Sequence, residues 1–126
     1  MVDNTAYISR LTFMGEGTVV MPKVRINSEL HIGDPCIINS STVIEHECII
    51  GDFVHVSPNA SLAGNITVKK GEHIGLGAQV VQGITIGEDA IVGARAVILR
   101  DVPADAIVVG NPGKIIKFRD ELKDGN

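Results

Sequence analysis

Aromatic side chains are nearly missing from this chain: there is no Trp, one Tyr and three Phe, 3% of the residues in all. Long apolar runs are missing too. No stretch approaches the roughly 18–20 residues of a membrane span, and no segment reads as a signal peptide. Cationic excess is absent, with a net charge of −4 and no basic run interleaved with aromatics, which leaves no general attraction to nucleic acid. Cysteine is limited to Cys36 and Cys48. The expectation is a cytoplasmic protein with neither a membrane nor a nucleic-acid partner, and at 126 residues a single domain.

What the chain does have is a clock. Ile, Val, Leu or Met stands at every sixth position from Ile8 through Met14, Val20 and Ile26 to Val92 and Ile98, without a slip. Neither a helix (period about 3.6) nor an alternating strand (period about 2) needs such a repeat. A six-residue repeat marks a solenoid, in which each coil buries its neighbours' apolar side. Four residues after each anchor comes a second inward slot, filled by small or apolar residues such as Thr18, Cys36, Cys48, Ala60, Ala78 and Ala90, with Glu72 the exception. The slot lies two residues before the next anchor and therefore on the same side of one strand.

Each hexad is thus a short strand followed by a two-residue corner. Glu16-Gly17, Asp34-Pro35, Pro58-Asn59, Gly64-Asn65, Lys70-Gly71, Gln82-Gly83 and Glu88-Asp89 are corner pairs of residues that turn a chain. Three strands close a triangular coil of eighteen residues, giving a little over five coils. Regular hexads span residues 8–103, and residues 104–126 read as a C-terminal cap, with a short helix over Ile115–Lys123 that uses Ile115, Ile116, Phe118 and Leu122. A narrow prism has room for aliphatic stacks but not for rings, and the 14 glycines suit tight corners. Cys36 and Cys48 fall in the inward slot on different faces, as reduced core residues. An unpaired Glu72 carboxylate in a dry core is costly. The coil around Lys69–His73 is therefore expected to bulge and release it.

None of the four histidines falls on an inward position. His55 and His73 are eighteen residues apart and stack on one outer face at about one strand spacing, ~4.8 Å, with Asn39 and Ser57 in the adjacent column. His46 and Glu47 form a corner pair on a different edge, which one subunit does not bring to the His55 face but a symmetric oligomer does. A zinc site needs three imidazoles, and no third one shares the column of His55 and His73. General-base catalysis by His46, with Glu47 orienting the ring, is a second reading. A merely polar surface corner is the third, and one His–Glu pair is too weak a motif to displace it.

The hexads resemble the left-handed β-helix of the hexapeptide-repeat acyltransferases, whose crossovers break the usual right-handed rule. Ile37-Ile38-Asn39-Ser40-Ser41-Thr42-Val43-Ile44-Glu45-His46-Glu47-Cys48 is the most telling stretch. Continued through Gly51, His55 and Ala63-Gly64-Asn65, it is similar to the bacterial sialic acid O-acetyltransferases and UDP-4-amino-sugar N-acetyltransferases. Val108-Val109-Gly110-Asn111-Pro112-Gly113-Lys114 resembles their closing segment, although Ala is more usual where Gly113 stands.

Over nearly the whole chain the resemblance implies an all-β, left-handed parallel β-helix with three strands per coil, assembled as a homotrimer. It implies acetyl-CoA as acyl donor, no metal, and a bacterial sugar as acceptor, nucleotide-activated or sialic-acid-like. His46 matches the family's general base and Glu47 the carboxylate that raises its basicity. His55 matches a residue contacting acetyl-CoA, Leu76 and Ala94 match backbone contacts to it, and Asn39 matches a polar active-site residue. Lys114 is a candidate for a CoA phosphate. Two departures stand out. The smaller α/β domain that precedes the β-helix in relatives is absent, so a stand-alone form or an excised domain is expected, and Arg95 replaces a corner residue that is usually Gly. The alternatives are a zinc-dependent, carbonic anhydrase-like enzyme and a non-catalytic trimeric scaffold.

Overall fold

In the computed structural model, which describes residues 1–119, the six-residue clock becomes a staircase of two-residue strands. The first two coils contain β1 (Tyr7–Ile8), β2 (Phe13–Met14), β3 (Val19–Val20), β4 (Arg25–Ile26), β5 (His31–Ile32) and β6 (Ile37–Ile38). The next two contain β7 (Val43–Ile44), β8 (Ile49–Ile50), β9 (His55–Val56), β10 (Ser61–Leu62), β11 (Thr67–Val68) and β12 (His73–Ile74). The last hexads give β13 (Gln79–Val80), β14 (Thr85–Ile86), β15 (Ile91–Val92) and β16 (Val97–Ile98), and the chain closes with β17 (Ala106–Val109) and β18 (Lys114–Phe118).

Every third strand joins the same sheet. The first face runs β1-β4-β7-β10-β13-β16, the second β2-β5-β8-β11-β14, and the third β3-β6-β9-β12-β15-β17-β18. All pairs are parallel and in register at eighteen residues up to Ile98, as in Ser61↔Val43 and His73↔His55. The result is a left-handed parallel β-helix of about six turns. The clock also reaches one step further back than Ile8, because Val2 makes a parallel bridge to Val20.

Two devices keep the coil regular. The first is at the corners. From Ser41 to Arg95 every second corner residue has positive φ: Ser41, Glu47, Phe53, Asn59, Asn65, Gly71, Gly77, Gly83, Asp89 and Arg95. That conformation costs an L residue roughly 1–2 kcal/mol. Here it turns the amide to the corner of the coil beneath, as in Asn59 N–H to Ser40 O (3.0 Å) and Arg95 N–H to Leu76 O (2.7 Å). The hydrogen bond, worth about 1 kcal/mol net, and the burial of an aliphatic anchor, about 1.5–3 kcal/mol, outweigh the strain.

The second device is in the core. Polar residues in the inward slot donate to a carbonyl fifteen residues on: Thr18 Oγ1 to Gly33 O (2.7 Å), Cys36 Sγ to Gly51 O (3.1 Å), Thr42 Oγ1 to Ser57 O (3.1 Å) and Cys48 Sγ to Ala63 O (3.3 Å). Both cysteines are buried and free, as their slots predicted. Burial is the main cause that raises both thiols above their ordinary range.

Two expectations are corrected. The tail does not open as a helix. Lys114–Phe118 is a strand, antiparallel to β17, because Gly110 (φ +93°) reverses the chain onto the open edge of the third sheet. Adjacent β-branched Ile115 and Ile116 suit such an edge. Both stay exposed while Phe118 packs on the core, and Leu122 lies outside the described residues. After Ile98 the spacing also contracts from eighteen to sixteen, with Val102 bridging Ile86 and Val108 pairing Val92.

The second correction is Glu72. Its coil does not bulge: β12 pairs in register on both sides, and the side chain is 1% exposed. Neither carboxyl oxygen has a hydrogen-bond partner among the described residues. A neutral acid is far cheaper there than an anion. Burial pushes its pKa up to about 9, opposed by a smaller effect of Arg119 and reinforced by a still smaller one of Asp89.

The pH dependence follows. The unfolded chain releases this proton near 4.5 and the folded chain near 9. Between those values the unfolded state binds fewer protons, so stability falls as pH rises, by roughly 1.4 kcal/mol per unit. Chemical denaturation between pH 5 and 9 should show this slope in the wild type. Glu72→Gln, which cannot ionise, should flatten it. Parallel curves for the two proteins would refute the buried acid.

Candidate active site

His46 and Glu47 form the corner between the first and second faces. The imidazole is fixed from above: a Cβ on Gly64, the corner residue one coil up, would lie 2.7 Å from Cε1 of His46 and 2.9 Å from its Nε2. Only glycine leaves room for the ring at that place. Nδ1 of His46 faces Oε1 of Glu47 at 3.5 Å. This is an ion-pair distance, longer than an ordinary N–H···O bond of about 2.7–3.2 Å. The main chain is tied as well, with Asn65 N–H donating to the carbonyl of His46 at 2.8 Å. Beside the corner, Asn27 Nδ2 donates to Glu45 Oε2 at 2.5 Å. The ring is half exposed at 53%, so a mobile ligand reaches it from solvent.

The third face carries the other cluster. His55 and His73 stack as the register predicted, with ring centroids 4.8 Å apart and planes at 65°. Ser57 Oγ lies 3.4 Å from His73 Nε2. Burial, then the neighbouring His73, hold the His55 imidazole below its ordinary range. Asn39 lies in the adjacent column, where its Oδ1 accepts from Ser40 N at 2.8 Å.

The edge between the third and first faces completes this side. Leu76 (50% exposed) and Ala94 stand in successive corners there. Gly75, beside Leu76, must be small because a Cβ would lie 2.7 Å from Ala94 N. Above them Gly110 O accepts from Val97 N, and the turn it opens leads to exposed Lys114. Arg95 takes positive φ and lays its stem against Gly77, as a surface arginine.

The fold therefore gathers Asn39, His55, Leu76, Ala94 and the turn before Lys114 along one side of the prism. His46 and Glu47 stay on the opposite edge, so one chain does not unite the two groups. Among the described residues no cluster of three or more His, Cys, Asp or Glu side chains is arranged to hold a metal ion, and no helix is long and apolar enough to cross a membrane. Sequence reasoning missed the seat of the imidazole. The signal was there, since Gly64 follows His46 by eighteen residues in the same corner slot. It also missed the Asn27–Glu45 clamp, which has the same spacing.

Gly64→Ala tests the seat. The imidazole is a movable side chain, so the expected stability loss is small, below about 1 kcal/mol. A crystal structure of the variant should show the ring swung away from the corner and from Glu47. An unmoved ring would overturn the account.

No protein-family model matches the chain. Among curated proteins it is 36% identical over 111 residues to the GDP-perosamine N-acetyltransferase of Escherichia coli O157:H7, a match covering 84% of this chain and 50% of that protein. It is 32% identical over 113 residues to the serine acetyltransferase of Synechococcus elongatus, covering 86% of this chain and 46% of the other. Among solved structures it superposes on PerB from Caulobacter crescentus, in complex with CoA and GDP-perosamine, with a TM-score of 0.91 at 40% identity over 92% of this chain and 56% of that one. The acetyltransferase domain of PglB from Neisseria gonorrhoeae, in complex with acetyl coenzyme A, gives 0.89 at 36% identity, covering 91% of this chain and 56% of that one. The chain spans about half the length of these relatives. With the hexad register, the three-faced coil and these similarities in hand, the chain belongs to the hexapeptide-repeat acetyltransferase family.

Proposed function

We propose that this chain is an acetyl-CoA-dependent acetyltransferase. It acts in the cytoplasm, as a homotrimer, on an amino or hydroxyl group of a bacterial sugar that is nucleotide-activated or sialic-acid-like. The observation that supports it most is the seating of His46, whose ring lies over Gly64 with Nδ1 toward Glu47. That leaves Nε2 to accept a proton. Glu47 orients the ring and stabilises the imidazolium once it forms. Similarity to proteins solved with CoA, acetyl coenzyme A and GDP-perosamine supports the donor and the class of acceptor. The two N-acetyltransferases of GDP-perosamine favour an amine.

In this reading His46 removes a proton as the acceptor nitrogen or oxygen attacks the thioester carbonyl, and the tetrahedral adduct collapses with loss of the CoA thiolate. The donor lies along the third face, touching His55 and the backbone at Leu76 and Ala94, with Lys114 toward a CoA phosphate and Asn39 toward the acceptor. The cysteines suit no covalent step, since both are buried and hydrogen-bonded to carbonyls of the next coil. Because His46 stands on the far edge, the trimer would set one subunit's corner against its neighbour's third face.

Acetyl-CoA at about a hundredfold over its dissociation constant should stabilise the protein by about 2.7 kcal/mol, read as an upward thermal shift that a chelator leaves intact. His46→Ala should keep that shift and lower kcat about 10²- to 10⁴-fold. Undiminished transfer by His46→Ala would remove it as the base. A shift abolished by chelator would favour metal chemistry.

A further inference from the structure

On the third face, Ile37, His55, His73 and Ile91 form one outward column of successive coils, so two imidazoles are sandwiched between two apolar residues. Of the two ring nitrogens of His55, Nε2 is the one that is buried without a hydrogen-bond partner among the described residues. The His73 ring meets the His55 ring at 4.8 Å in an edge arrangement. It also leans back one coil, bringing its own Nε2 within 3.4 Å of Oγ of buried Ser57. Ser57 stands two residues beyond His55, so His73 is braced on the same coil that it covers.

This has a chemical consequence. His55 is neutral at pH 7, because burial and the second imidazole both disfavour its cation. A neutral imidazole carries one N–H and one lone pair. Burying an N–H without an acceptor costs about 1–3 kcal/mol, and orphaned donors are rarer in proteins than under-used acceptors. An N–H to ring contact is a second-order effect by comparison. The proton therefore belongs on Nδ1, and the bare lone pair on the buried side.

We propose that His73, braced by Ser57, is a positioning residue that fixes His55 as the Nδ1–H tautomer, making His55 a hydrogen-bond donor to a carbonyl oxygen of the acyl donor. The identity of that oxygen rests on the acetyl-CoA reading above. The tautomer and the role of His73 do not. No bond is made or broken by His55. It offers a hydrogen bond and keeps its proton.

Long-range ¹⁵N–¹H correlation spectra of the ligand-free protein read the tautomer directly. His55 is expected to show a protonated Nδ1 and an unprotonated Nε2. His73→Phe keeps a ring over Nε2 and should keep this pattern. His73→Ala uncovers Nε2 and should yield a mixture of tautomers, with KM for acetyl-CoA raised about tenfold and kcat nearly unchanged. Circular dichroism and thermal melts check that both variants fold. A protonated Nε2 in the wild type, or an unchanged tautomer in His73→Ala, overturns the proposal. So does acetyl-CoA that binds, by thermal shift, without moving the Nδ1 resonance. If acetyl-CoA does not bind at all, the donor reading falls and takes the carbonyl assignment with it, while the ligand-free spectra still decide the tautomer and the role of His73.

Discussion

The fold depends on one repeated hydrogen bond, from a strand amide to the carbonyl of the coil beside it. Ile49 N–H donates to Ile66 O at 2.9 Å and Thr67 N–H to Ile84 O at 3.0 Å, and the pattern continues along all three faces. It locks the eighteen-residue spacing. Once locked, that spacing makes every side chain the neighbour of the residue eighteen positions away. Gly64 meets His46, His73 meets His55, and Glu45 meets Asn27 for this single reason. A stagger of one residue would turn the aliphatic anchors outward and dissolve these meetings together.

Glu72 shows how strong the lattice is. Bulging one coil would expose the carboxylate but break ladder bonds on both sides of β12. Retaining a proton costs a few kcal/mol near neutral pH and leaves the ladder intact. The backbone wins, and the side chain changes its charge state instead of its place. Thr18, Cys36, Thr42 and Cys48 had an easier solution, since each is short enough to reach the carbonyl fifteen residues on.

Much of the fold was legible because a period is a one-dimensional property. The anchors, the inward slots, the corners and the His55–His73 stack all come from counting in sixes and eighteens. The separation of His46, at an edge, from His55, on a face, was legible for the same reason. The rest depends on what counting does not contain. Residues Lys114–Phe118 became a strand because an open sheet edge waits for them, a tertiary circumstance that settles a local pattern compatible with either helix or strand. The contraction to sixteen residues after Ile98 has no marker in the anchors. The chemical roles of His46 and His55 were suggested by family likeness and not by spacing, and one chain holds the two groups on opposite sides of the prism. The proposed reaction makes assembly part of the chemistry and not only of stability.

The antiparallel strand β18 has a consequence for growth. A parallel solenoid is an open-ended template, since its last coil offers the next chain the same ladder that it used itself. Here the third sheet ends in a strand running the wrong way. Another copy arriving end-on would find one of the three ladders reversed and the final coil two residues short. Strand direction thus works against head-to-tail stacking on this end, without charge or bulk.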